Sequence, residues 1–205
     1  ATNKPASTSA KKRVYFTHLP IHMLPTSIRE GKSKVIYVAR NPKDMAVSYY
    51  HFHRSARFLG RQTSLAWNDF FTFFCTGIIC CGSWFEHVLT YWKFTQNNPN
   101  AVFVKYEDMK RDLVEEMKAL ENFIGVPLNE EQRKKVIDHC SFDSMKKVSK
   151  FMRKVSAKLR SGDNTDLIQG VVGDYKNYFT VAQNEQFDEL YKEKMAGSGL
   201  DFEFE

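Results

Sequence analysis

The feature that most constrains this chain is the near-continuous apolar run Lys34-Val35-Ile36-Tyr37-Val38-Ala39, which halts at Arg40-Asn41-Pro42. A run without alternating polarity predicts a strand buried on both faces, the usual state of strands in parallel sheets. Asn41 suits a helix N-cap, Pro42 a first helical position and Asp44 a first turn, so a helix is predicted from there to about Arg54. The pattern recurs. Ala101-Val102-Phe103-Val104-Lys105-Tyr106 predicts another strand, followed by a polar turn at Glu107 and Asp108 and a long amphipathic helix to about Ile124. Successive strand-to-helix units imply an α/β fold, a mainly parallel sheet flanked by helices in three layers, with ligands beyond the carboxyl ends of the strands.

Between and around these units, Val14-Tyr15-Phe16 predicts a short strand ending in the loop Thr17-His18-Leu19-Pro20. A short helix is expected around Pro25 to Glu30. Others are expected over Leu65 to Thr76, Ser83 to Phe94, Asn129 to His139 and Ala182 to Met195. The Lys/Arg/Ser-rich stretch from Val148 to Gln169 predicts a flap. With 205 residues the chain suits a single domain, 1–205.

The formal charge of +6 could steer an anionic ligand, but Lys and Arg are spread along helices with compensating Glu. No basic run interleaved with aromatics marks a nucleic-acid groove. The four cysteines, Cys75, Cys80, Cys81 and Cys140, show no metal-ligand spacing, so no metal is expected and a reduced, cytoplasmic compartment fits. Phe70 to Cys81 is too short and too interrupted to span a bilayer, so no membrane association is expected.

A helix N-terminus after a strand offers unpaired N–H groups, to which Arg40 adds a forked cation and Ser48 a hydroxyl. Together they suit a phosphate, and Arg40 equally suits a surface ion pair. The segment Val35 to Phe52, VIYVARNPKDMAVSYYHF, resembles the part of cytosolic sulfotransferases that binds the 3′-phosphate of 3′-phosphoadenosine 5′-phosphosulfate (PAPS). Thr17-His18-Leu19-Pro20 is similar to the same family's catalytic loop. Gly82-Ser83-Trp84-Phe85-Glu86-His87-Val88 and Tyr106-Glu107-Asp108 follow in the family's order.

That resemblance, running from about Arg13 onward, implies a P-loop-NTPase-like sulfotransferase fold and transfer of a sulfuryl group from PAPS to a hydroxyl or amine of a small phenol-, alcohol- or steroid-like acceptor, leaving PAP. It implies His18 as the base and Arg40 and Ser48 as phosphate ligands. Tyr106, Ser141, Phe142 and Met145 would lie about the nucleotide, Phe142 stacking on adenine. Gly170-Val171-Val172-Gly173-Asp174-Tyr175-Lys176 resembles the glycine-rich phosphate segment. Lys176, Thr180, Val181 and Glu185 match the family's homodimer motif.

Three departures stand out. Phe16 occupies a position where the family has lysine, and Ile168 and Gln169 stand where it has an Arg-Lys pair. Phe151-Met152-Arg153-Lys154 resembles that pair displaced by an insertion, which assigns Arg153 and Lys154 to the phosphate. The family's phosphosulfate loop, which lies further upstream, finds no counterpart. The sequence is therefore expected to represent the C-terminal two-thirds of such an enzyme, inactive by itself, with an unpaired sheet edge and exposed apolar surface. The departures keep open a family member that binds nucleotide without efficient transfer. An unrelated P-loop kinase is disfavoured by the lack of GxxxxGK[ST].

Overall fold

The computed structural model describes residues 13–55, 64–141, 144 and 172–205. The expectations for Phe142, Met145, Arg153, Lys154 and Gly170, and for the flap, lie outside these residues. In chain order the helices are α1 (Thr26–Arg29), α2 (Pro42–Ser55), α3 (Trp67–Thr76), α4 (Trp84–Gln96), α5 (Tyr106–Arg111), α6 (Leu113–Ile124), α7 (Glu130–Cys140) and α8 (Val181–Met195). Strands β1 (Val35–Ala39) and β2 (Ala101–Lys105) pair in parallel, with Val35 opposite Ala101 and Ala39 opposite Lys105. The α/β class and parallel pairing expected from the two apolar runs are thus present.

The face of the pair carrying Tyr37 and Phe103 is covered by α4. Tyr37 stacks on Tyr91 with ring centroids 4.2 Å apart, and Phe103 meets Trp92 at 5.1 Å. The opposite face of β1 departs from expectation. Ile36 and Val38 remain 41% and 53% exposed, because the described residues lay no helix over them. Val104, beside Val38, is buried.

Val14 to Phe16 also departs from expectation. The segment is irregular and exposed, with Phe16 96% accessible, since no strand among the described residues lies alongside to accept its ladder bonds. The long helix expected after β2 is broken in two at Asp112, whose extended backbone lets its side chain accept from Glu115 N at 3.0 Å and cap α6. A residue that bonds nearby backbone competes with continuous helix. The ends of α6 and α7 are then clamped. The Glu121 carboxylate takes Arg133 in a two-point pair at 2.7 and 2.8 Å and accepts from Leu128 N.

The core gathers where α3, α4 and α8 meet. Phe187 of α8 is fully buried, with the rings of Phe71, Phe74, Phe85 and Phe179 within 5.9–6.4 Å. Leu200 and Phe202 of the C-terminal segment are buried beside them. Phe187→Ala is expected to lower unfolding free energy by about 3–5 kcal/mol, because the surrounding rings cannot collapse onto the void. Val181→Ala, on the exposed side of the same helix, should stay within about 0.5 kcal/mol. Urea midpoints of the two variants check the contrast.

Candidate functional site

At the carboxyl end of β1 the backbone turns through Arg40 and Asn41 into α2. Asn41 caps the helix as the sequence predicts: its Oδ1 accepts from Asp44 N at 2.8 Å, and its carbonyl accepts the first helical bond from Met45 N. Asn41 is itself held by a carboxylate that arrives from β2. Glu107 Oε1 accepts from Asn41 N at 2.8 Å and from Asn41 Nδ2 at 3.1 Å. Glu107 is 3% exposed, and its Oε2 is buried without a hydrogen-bond partner. Burial pushes its carboxyl above the ordinary range, while the bonds from Asn41 pull it back.

These contacts revise one expectation. The N-terminus of α2 does not present a row of open donors, since Asp44 N is spent on Asn41, Asn41 N on Glu107, and Pro42 has none. Whatever this corner offers an anion comes chiefly from side chains.

Asp44 is the hub. Its buried carboxylate accepts from Asn41 Nδ2 at 2.9 Å, from Gly173 N at 2.9 Å and from Tyr175 N at 3.0 Å, and lies 3.2 Å from Arg40 Nη2. The first turn of α2 is thereby joined to Gly173, whose φ of +87° suits the residue best able to take it, and to the following turn at Asp174–Asn177. Lys43 adds a second tie. Its buried Nζ donates to Asn184 Oδ1 at 2.7 Å, pairs with Asp188 at 2.5 Å and lies 5.0 and 5.1 Å from the ring centres of Tyr175 and Phe204.

Arg40, at the strand end, stacks its guanidinium 4.7 Å from the Tyr106 ring centre. Ser48 is half-buried four residues beyond Asp44, on the same side of α2. Arg40, Tyr106 and Ser48 are thus set about one corner. Ser141 lies at the end of α7, where its hydroxyl is engaged locally with Asp138 O and Ser144 Oγ, both at 2.9 Å. Phe70, Phe71, Phe74 and Phe85 are core members, clustered with Phe187.

His18 is exposed, on a loop tied to α4. Tyr91 Oη donates to Leu19 O at 2.8 Å, and His87 Nε2 lies 3.2 Å from His18 O. A carbonyl can only accept, so His87 carries its proton on Nε2, and its Nδ1 accepts from Tyr37 Oη at 2.8 Å. Burial lowers the His87 pKa, partly offset by the contacts to His18 and Leu19, which keeps the ring neutral as this geometry requires. The sequence did not mark Tyr37, His87 or Tyr91 as functional. The available signal was the four-residue spacing of His87 and Tyr91 on one helix face, opposite a strand tyrosine.

An arginine stacked on an aromatic ring beyond the carboxyl end of a parallel strand is an arrangement that α/β folds use for anionic ligands. Comparison with known proteins makes the class specific: the family model described as the sulfotransferase domain matches residues 1–199. The chain belongs to the sulfotransferase family. It is 42% identical over 192 residues to sulfotransferase 1C2 of Rattus norvegicus, a match that takes in 93% of this chain and 64% of that protein. To sulfotransferase 1B1 of Canis lupus familiaris it is 40% identical over 195 residues, 94% of this chain and 65% of the relative.

Among solved structures, mouse sulfotransferase SULT7A1 complexed with PAP is similar with a TM-score of 0.75 and 37% identity, over 89% of this chain and 65% of that one. Retinol dehydratase in complex with androsterone and inactive cofactor PAP gives 0.83 and 27% identity, over 96% of this chain and 57% of that one. The chain thus spans 57–65% of the length of these relatives.

Two expectations follow from the geometry. Asp44→Asn replaces an accepting oxygen with a donor facing donors, and should cost about 1–3 kcal/mol while speeding amide exchange at Gly173 and Tyr175 more than in α7, as read by hydrogen exchange. His87 has a depressed folded-state pKa, so the unfolded chain binds more protons and stability drops as pH falls below about 6.5. His51 and His53 act in the same direction. Unfolding midpoints at about pH 7.5 and about 5.5 should therefore fall further apart in the parent than in His87→Gln, which cannot protonate there.

Proposed function

We propose that this chain supplies the nucleotide corner and the catalytic base of a PAPS-dependent sulfotransferase, which moves a sulfuryl group to a hydroxyl or amine of a small phenol-, alcohol- or steroid-like acceptor and leaves PAP. The observation that carries this reading is the Arg40 guanidinium at the end of β1, stacked on Tyr106 and ion-paired with the buried Asp44 carboxylate. Membership of the family and similarity to solved structures in complex with PAP support it.

In this reading Arg40 and Ser48 hold the nucleotide 3′-phosphate. Tyr106, Ser141, Phe142 and Met145 bound the adenosine, and Arg153, Lys154 and Gly170 close over the phosphate. The cofactor, when bound, supplies the activated sulfuryl group. His18 takes the proton from the acceptor as the new oxygen–sulfur or nitrogen–sulfur bond forms, a task suited to an imidazole, whose ring nitrogen can accept a proton. Neutral His87 and Tyr91 fix the backbone of the His18 loop by its carbonyls.

A homodimer would use Lys176, Thr180, Val181 and Glu185. All four are exposed, and Thr180 caps α8 through a bond from Gln183 N, which holds its backbone ready. Lys176 pairs with Glu205 at 2.8 Å and would exchange that exposed partner for one across the interface. The protein would act in the cytoplasm. Among the described residues no helix is long and apolar enough to cross a membrane.

Calorimetric titration with adenosine 3′,5′-bisphosphate is expected to show saturable binding. Arg40→Ala should weaken it about ten- to a hundredfold, the worth of hydrogen bonds to a charged group. With the protein at its full natural length, labelled PAPS and a panel of phenols, alcohols and amines, His18→Ala should abolish transfer while leaving that affinity unchanged. No nucleotide binding at full length would overturn the proposal.

A further inference from the structure

Away from the nucleotide corner, the connection between α3 and α4 makes a tight turn over Ile79–Gly82, closed by Gly82 N donating to Ile79 O at 2.9 Å. Its two central residues are both cysteines. Cys81 takes a φ of +68°, a conformation uncommon outside glycine, and the Tyr49 hydroxyl donates to Cys80 O from α2. The two thiols are exposed and free, with sulfurs 3.8 Å apart.

That spacing discriminates between two chemistries. Direct oxidation would bring the sulfurs to about 2.05 Å, in a ring spanning adjacent Cα atoms only about 3.8 Å apart, below the usual disulfide range of about 4.4–6.8 Å. Such a bond is strained and easily reduced. A single thiophilic atom held between both sulfurs needs no such movement. With metal–sulfur bonds of about 2.3 Å and tetrahedral angles, two sulfurs lie about 3.8 Å apart.

The number of ligands narrows the class. Among the described residues no group of three or more His, Cys, Asp or Glu side chains could complete a four-coordinate metal site. Cys75, the nearest cysteine in sequence, is half-buried in α3, and burial pushes its thiol up to about 11. A trivalent arsenic atom that already carries one carbon substituent needs two sulfurs and nothing more. We propose that Cys80 and Cys81 form a vicinal dithiol site that captures trivalent organoarsenicals, and thiophilic atoms of like valence, through both sulfurs at once.

With an arsenoxide, R–As=O, the arsenic–oxygen double bond breaks and two arsenic–sulfur bonds form. Both thiol protons leave on that oxygen as water, and no atom changes oxidation state. Two-point attachment should hold the arsenical about 10²–10⁴-fold more firmly than either thiol alone.

The probe is phenylarsine oxide, added in equimolar amount to the reduced chain. Intact-mass spectrometry should show one adduct per chain, and thiol titration should fall from four to two. The adduct should survive washing with a monothiol and be removed by dithiothreitol. Cys80→Ser and Cys81→Ser should each release the arsenical on the monothiol wash, with retention falling at least about a hundredfold, whereas Cys75→Ser and Cys140→Ser should behave as the parent. Circular dichroism of the serine variants confirms that they remain folded. The proposal is overturned if the parent forms no adduct, if either Cys80→Ser or Cys81→Ser retains it as firmly as the parent, or if the untreated reduced chain already lacks the two thiols.

Discussion

The buried carboxylate of Asp44 is the interaction on which the functional corner depends. It meets the guanidinium of Arg40, the cap side chain of Asn41 and the backbone donors of Gly173 and Tyr175. Removing a carboxylate from water is costly, and the cost is offset only because each oxygen finds donors in good geometry. The arrangement fixes the Arg40 side chain and the path of the glycine segment with one group. Glu107 holds Asn41 from the first turn of α5, just beyond β2, so the mouth of the sheet is braced by two carboxylates.

Much of this could be read from the chain. Strands β1 and β2, the Asn41 cap, the helix start at Asn129 and the extents of α2, α4 and α8 fell near the expected positions, because short-range chemistry decides them: apolar runs, side chains that accept from the helix start, and helical spacing. Arg40 and Ser48 were legible through resemblance. Asp44 and Glu107 were visible as acids near helix starts but not as the pins of the site, since their partners lie 66 to 131 residues away in the chain. No local pattern encodes such a pairing.

The same limit explains the misreadings. Continuous apolar character in β1 signals a strand suited to burial on both faces, yet whether a layer covers the second face depends on what packs there; Ile36 and Val38 show the difference. The aromatic run in α3 carries no sign of what it packs against, and Phe187, arriving from α8, makes it part of the core. Asp112 divided an amphipathic pattern that periodicity alone would have left continuous.

The contacts of Lys43 and Asp44 carry a kinetic consequence. Their distant partners stand 129 to 145 positions further along the chain, in the Gly173–Tyr175 turn and α8. Closing loops of that span is entropically expensive and comes after nearby helices have formed. This corner is therefore expected to be among the last parts of the molecule to take shape as the chain folds. During synthesis, Arg40 emerges well before the residues that will hold its neighbour in place.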